Sequence, residues 1–117
     1  MMSEIVFKTC KLFDKTFKEY RSNKQVVNKF KEFVNWKTSH PNEPFGGKDY
    51  SFGNKVVLSG YYHAGLSFDV SLIYRRDGNV FHLFGVFSHD ESGTGQPANI
   101  NRQQSLKSKL DNQQFAD

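Results

Sequence analysis

At 117 residues the chain is long enough for one compact domain and too short for two independent cores. Sixteen Lys and Arg against twelve Asp and Glu leave a net charge of +4, which draws the protein to polyanions; twelve Phe, five Tyr and one Trp exclude a disordered chain and imply a core of large aromatic side chains. The single cysteine, Cys10, excludes an internal disulfide, no apolar run approaches the ~20 residues that span a bilayer, and Met1 to Lys11 lacks the apolar stretch of a signal peptide, so the expectation is a cytoplasmic protein with no membrane partner.

In chain order, Ile5 to Thr9 is apolar and β-branched enough for an edge strand. From Lys11 to Tyr20, Leu12, Phe13, Phe17 and Tyr20 recur at spacings of three and four, which predicts an amphipathic helix. Arg21-Ser22-Asn23 suits a turn, and Val26, Val27, Phe30, Phe33, Val34 and Lys37 then repeat the period for a second helix reaching Trp36. This hairpin carries most of the basic excess, from Lys8 to Lys31. The residues from Ser39 to Asn54 include two prolines and three glycines and read as a long loop, a natural place for a binding surface. Val56 to Tyr62, Leu66 to Tyr74 and Val80 to Phe87 read as three antiparallel strands, with Asp77-Gly78-Asn79 as the turn of the last hairpin. Alternation places Leu66, Phe68, Val70, Leu72 and Tyr74 toward the helices and Ser67, Asp69, Ser71, Ile73 and Arg75 on the opposite face. The polar segment 92–117 reads as a loop followed by a loosely docked helix within Asn101 to Phe115. The expected fold class is α+β: one domain over 1–117, with an N-terminal strand and a two-helix hairpin packed on an antiparallel sheet of three to four strands.

Chemistry centres on the four histidines. His82 shares its strand with Phe84 and Val86 and reads as a structural residue on their face, and His40 as a loop residue. His63 ends one predicted strand, Asp69 lies on the non-core face of the next and His89 follows the last, so the three can meet at one edge of the sheet as a general acid/base group. The same residue types ligate zinc or iron, but a short His-x-x-x-His pairing is missing, so no metal and no cofactor are expected. No serine sits in a strand, sharp glycine turn and helix, as a nucleophile elbow requires, and Cys10 reads as a core residue.

The run Leu58-Ser59-Gly60, His63-Ala64, Asp69, Leu72-Ile73-Tyr74 and Phe87-Ser88-His89-Asp90-Glu91 resembles the YafQ branch of the RelE/ParE toxin superfamily, over residues 5 to about 93. That resemblance implies a RelE-like fold and a toxin of a type II toxin-antitoxin system. It implies an mRNA endoribonuclease that works in the ribosomal A site, binds the ribosome, inhibits translation without a metal and is neutralised by a small acidic antitoxin. Carried over, the strand aspartate falls on Asp69, the histidine after the last strand on His89, and the histidine before the aspartate, shifted by two positions, on His63. Tyr50 stands where that branch has a loop histidine, Gly93 stands where it has an aromatic residue, which leaves Phe87 as the candidate for base stacking, and Ser71 occupies the place of a RelE-type arginine. Lys48, Lys55, Arg75 and Arg76 are the candidate phosphate contacts. Two other readings keep the fold without the nuclease: a ParE-like toxin that poisons a topoisomerase, and a phage-encoded accessory protein that binds nucleic acid or a partner.

Overall fold

The helical period places the first helices where it should. In the structure, a computed structural model that describes residues 4–52, 57–95 and 97–115, β1 (Val6–Thr9) leads into α1 (Lys11–Tyr20) and α2 (Lys24–Ser39). Asn23 caps α2 by accepting the Val26 N–H at 3.2 Å. The helix runs past Trp36 to Ser39 and stops at His40, because Pro41 keeps the residue before it out of helical geometry.

A short 3-10 turn (Gly46–Lys48) is followed by β2 (Asp49–Ser51), inside the stretch expected to be loop throughout. With three residues and one aromatic side chain, β2 gives no alternation to read. β3 is Tyr62–Gly65, C-terminal to its expected position, since residues 57–60 turn and Gly60 takes a φ of 95°. β4 (Val70–Asp77) and β5 (Val80–Ser88) are joined by the expected turn, with Gly78 at φ 62°.

The five strands form one sheet in the order β1-β5-β4-β3-β2. All neighbouring pairs are antiparallel except β1 with β5, so the sheet is mixed and has one strand more than expected. α1 and α2 cover one face, where Phe13, Val26, Phe33, Leu72, Tyr74 and Phe81 build the larger core. The other face is covered as well. After α3 (His89–Ser92), α4 (Ile100–Asp111) packs Leu106 and Leu110 into a second cluster with Leu58, Tyr61, Ile73, Phe84 and Phe87. The expected loosely docked helix is therefore an anchored layer, and its sparse apolar residues suffice because they fall on one stripe.

Two strand assignments needed correction. Leu66, Val70, Leu72 and Tyr74 face α1 and α2 as alternation predicted, but Phe68 is 88% exposed because β4 begins at Val70 and Phe68 lies in the bend before it. His82 and Phe84 share a face, whereas Val86 points to the helix side. The ladder pairs Ile73 with Gly85 and Tyr74 with Leu83, so Phe84 is the extra residue of a β-bulge and the alternation slips there. Glycine is required at 85, since a Cβ would sit 2.6 Å from the Phe87 ring and 3.0 Å from Thr16 Oγ1. The Val86 N–H donates to that same Thr16 oxygen at 3.0 Å, which seats α1 on the bulge.

Beneath α2 lies a buried ion pair. Lys37 Nζ stands 2.7 Å from Asp49 Oδ2, with the two side chains 5% and 2% exposed. Lys37 also donates to the Glu43 carbonyl at 2.7 Å, and Asp49 accepts from the Phe45 N–H at 2.7 Å and from the Tyr74 hydroxyl. Burial, followed by the bond to Asp49, drives the Tyr74 pKa far above its ordinary value. Lys37 read as part of an apolar stripe in the sequence. Its ammonium instead ties α2, the loop after it, β2 and β4 together, with rings of Phe33, Tyr74 and Phe81 about it.

Candidate functional site

Two of the three predicted catalytic residues line one cavity. Ala64 faces the helix-side core, so its neighbour His63 faces the α4 side. There its ring lies between Tyr50, with centroids 4.1 Å apart, and Phe52, at 4.7 Å. His89 opens the single turn of α3, which Ser88 and Glu91 close as a reciprocal capping box. Its backbone is pinned from both sides: the His89 N–H donates to the Asp69 carbonyl at 2.7 Å, and the His89 carbonyl accepts from Thr94 at 3.0 Å and Gly95 at 3.2 Å. Its Nε2 is 3.3 Å from Ser71 Oγ.

The cavity between them has a volume of about 310 Å³. Ser71, Ile73 and Phe87 supply its sheet side, Tyr50 and Phe52 its rim beside His63, and Thr94, Gly95 and Gln103 a wall from the C-terminal segment. Burial lowers the His63 pKa below its ordinary value, a positive charge on His89 pushes it further down, and the Asp49 carboxylate opposes both. His63 is therefore neutral near pH 7 and able to accept a proton.

The third residue stands apart. Asp69 is exposed in the bend before β4, and its carboxylate is not among the groups lining the cavity. What joins it to the site is its carbonyl, which holds the His89 backbone.

Of the candidate RNA contacts, Tyr50 is half exposed at the rim. Phe87 is buried in the second core cluster and presents only part of its ring to the cavity, so it offers no free face for a base. Lys48 has its stem across Gly65, where a Cβ would meet Lys48 Cβ at 3.1 Å, and its ammonium 5.9 Å from the centre of the exposed Phe68 ring. Gly65 pairs with Ser71, which contacts His89, so the stem of this lysine lies one strand from that contact, but Lys48 does not line the cavity. Lys55 lies outside the described residues. Arg75 and Arg76 are at the far end of β4, four and five residues beyond Ser71, roughly 13 Å or more along the strand. The Arg75 guanidinium lies over the Tyr61 ring, and Arg76 bonds Pro41 O at 2.8 Å, Asn42 Oδ1 at 2.6 Å and Gly78 O at 2.7 Å. The structure thus keeps both arginines away from the histidines and uses Arg76 to fasten the loop after α2.

The sequence reading missed Phe52, Thr94 and Gln103. Ser71 was set aside for not being an arginine, although alternation had already placed it on the face of Asp69 and Ile73. Cys10 is buried, its thiol directed at the Leu83 and Phe84 carbonyls and its pKa raised by burial, as a core residue should be. His40 stacks on Trp36 with ring centroids 3.9 Å apart. Among the described residues, no three His, Cys, Asp or Glu side chains gather to hold a metal ion, and no helix is long and apolar enough to cross a membrane.

No protein-family model and no curated protein matches the chain. Solved structures do. The toxin-antitoxin complex of DinJ and YafQ from Escherichia coli contains a chain that is 16% identical, with a TM-score of 0.61, 75% of this chain and 96% of that chain covered. The YoeB dimer of Staphylococcus aureus matches at 19% identity and a TM-score of 0.61, covering 74% of this chain and 99% of the other. A metal-bound toxin from Helicobacter pylori matches at 23% identity and a TM-score of 0.59, covering 74% and 97%. These likenesses show the fold, which is the α+β fold shared by RelE/YafQ-like toxins of toxin-antitoxin systems.

Proposed function

We propose that this chain is the toxin of a type II toxin-antitoxin system and acts as a ribosome-dependent endoribonuclease, cutting mRNA in the ribosomal A site and so inhibiting translation. The observation that carries the reading is the pairing of His63 and His89 across one cavity at the end of the sheet, on a fold that toxins of such systems share.

The chemistry needs a base and an acid. His63, held neutral by burial, takes the proton of a ribose 2′-hydroxyl. The freed oxygen attacks the adjacent phosphorus, the bond from phosphorus to the 5′-oxygen breaks, and protonated His89 gives its proton to that leaving oxygen. The products are a 2′,3′-cyclic phosphate and a 5′-hydroxyl, and no metal enters the step. Ser71 steadies the His89 ring, and Lys48, whose stem lies over Gly65 with its ammonium at Phe68, is a candidate among the described residues to balance charge on the phosphate. Asp69 contributes through the carbonyl that fixes His89. Tyr50 supplies an aromatic rim, while Arg75 and Arg76 are too far away to serve the same phosphate. The basic first two helices suit an acidic antitoxin, and the protein works in the cytoplasm, where its mRNA and ribosome partners are.

Primer extension on cellular mRNA after a brief pulse of expression, beside His89→Ala, tests this. Cuts at defined positions within translated codons that vanish in the variant are expected. Growth arrest with intact transcripts would overturn the nuclease and favour a topoisomerase poison.

A further inference from the structure

The C-terminal segment does more than cover the sheet, because one of its side chains reaches the cavity with an atom to spare. Gln103 is 6% exposed and lines the space beside His89. Its Nε2 donates to the Gly93 carbonyl at 2.8 Å. Only an amide nitrogen can make that bond, so the orientation of the side chain is fixed by its partner. Oε1 is left over, and no donor to it occurs among the described residues. No side-chain oxygen among the described residues is both sealed from solvent and unpaired, so Oε1 is open to solvent at the cavity, where a donor from a ligand can take the place of water.

The rest of the cavity limits what that ligand is. Ile73 and Phe87 give an apolar side, Phe52 an aromatic one, and about 310 Å³ is at the small end of ligand sites, with room for one base and its ribose and not for a base pair. Gln103 is held in place rather than flexible. Gly93, which accepts its amide, takes a left-handed φ of 75°, and a Cβ there would lie 2.3 Å from the Asn99 carbonyl. The neighbouring Arg102 bonds Asp90 at 2.7 Å, fastening α4 to α3.

We propose that the cavity takes a single unpaired nucleobase of the RNA and that Gln103 reads it, its Oε1 accepting from an exocyclic amino group. The proposal rests on the nuclease reading and adds to it a residue that determines specificity. Adenine, cytosine and guanine carry such a group and uracil does not. A base splayed out of its stack, as single-stranded RNA allows, can enter edge first.

The test changes the RNA before it changes the protein. Short RNAs, free and on programmed ribosomes, would carry at each nucleotide flanking the cut either a natural nucleoside or its analogue lacking the amino group: adenosine against purine riboside, guanosine against inosine, cytidine against pyrimidin-2-one riboside. Single-turnover cleavage by the wild-type protein should fall about ten- to a hundredfold for at least one pair at one position. Gln103→Met should cut both members of that pair at the slower rate. Equal cleavage of every pair by the wild-type protein would overturn the proposal whatever the variant does, as would a preference that survives in Gln103→Met. If the wild-type protein cuts none of these RNAs, the nuclease reading itself falls, an outcome distinct from cleavage without discrimination.

Discussion

The two faces of the sheet are built from the same strands and put to different uses. Toward α1 and α2, aromatic rings stack and tilt against one another around Phe33, with centroids 5.2 Å from Tyr74 and 5.7 Å from Phe45, and the charged groups present, Lys37 and Asp49, satisfy each other. Toward α4, one helix covers a smaller cluster and leaves a cavity lined by His63, Ser71, His89 and its own Gln103. A closed face can be tightly packed because nothing has to enter it. The open face gives up packing to keep polar groups available, and the bulge at Phe84 lets one strand serve both.

If that division is right, changes on the open face should alter cleavage without altering the fold. His63→Ala removes the proposed base and should slow cleavage about 100- to 10,000-fold, with a melting temperature near that of the wild type; a rate within tenfold would break the comparison. On the closed face the opposite is expected. Lys37→Ala strands a buried carboxylate and should cost about 3–5 kcal/mol in urea unfolding, while any folded fraction keeps its cleavage rate. Leu110→Ala, on α4 at the far end from the cavity, should cost about 2–5 kcal/mol and would sharpen the comparison by showing how much the single covering helix contributes.

A smaller effect concerns pH. Burial is the main cause of the lowered pKa of both His63 and His82, below the ordinary 6.5. The unfolded chain therefore binds more protons than the folded one in mildly acid solution, so the stability these neutral rings contribute is complete above about pH 6.5 and is lost as pH falls below it. Thermal unfolding at pH 7 and pH 5 should show this loss, reduced in a His63→Gln, His82→Gln double variant. The smallest effect is expected at Asp69→Asn, which keeps the carbonyl that holds His89. Its cleavage rate should stay within about threefold of the wild type, and a hundredfold loss would show that the carboxylate itself takes part.

The parts of the fold legible in the sequence were those where one period runs long enough to be counted. α1, α2 and β4 each run for eight residues or more, β5 keeps one alternation up to the bulge at Phe84, and all four were placed to within four residues. β2 was missed because three residues cannot show a period, and β3 was placed early because Val56 to Leu58 has strand composition, whereas residues 57–60 turn. The buried Lys37 was invisible because its partner Asp49 is twelve positions away in what reads as loop. In the site, His89 follows β5 as the strand reading has it, whereas His63, read as ending a strand over Val56 to Tyr62, lies inside β3. Gln103 could not be nominated, since nothing in a polar, glutamine-rich helix marks which amide turns inward until Leu106 and Leu110 fix the face.

The attachment of Thr94, Gly95 and Gln103 to the His89 side of the cavity also bears on when this protein becomes competent during its own synthesis. The histidines and the sheet that carries them are translated before the wall and before the Leu106 and Leu110 that hold it down. A nascent chain therefore has both histidines in hand before it has the pocket that seats them. The cavity is therefore complete only once α4 has followed the sheet off the ribosome and folded onto it.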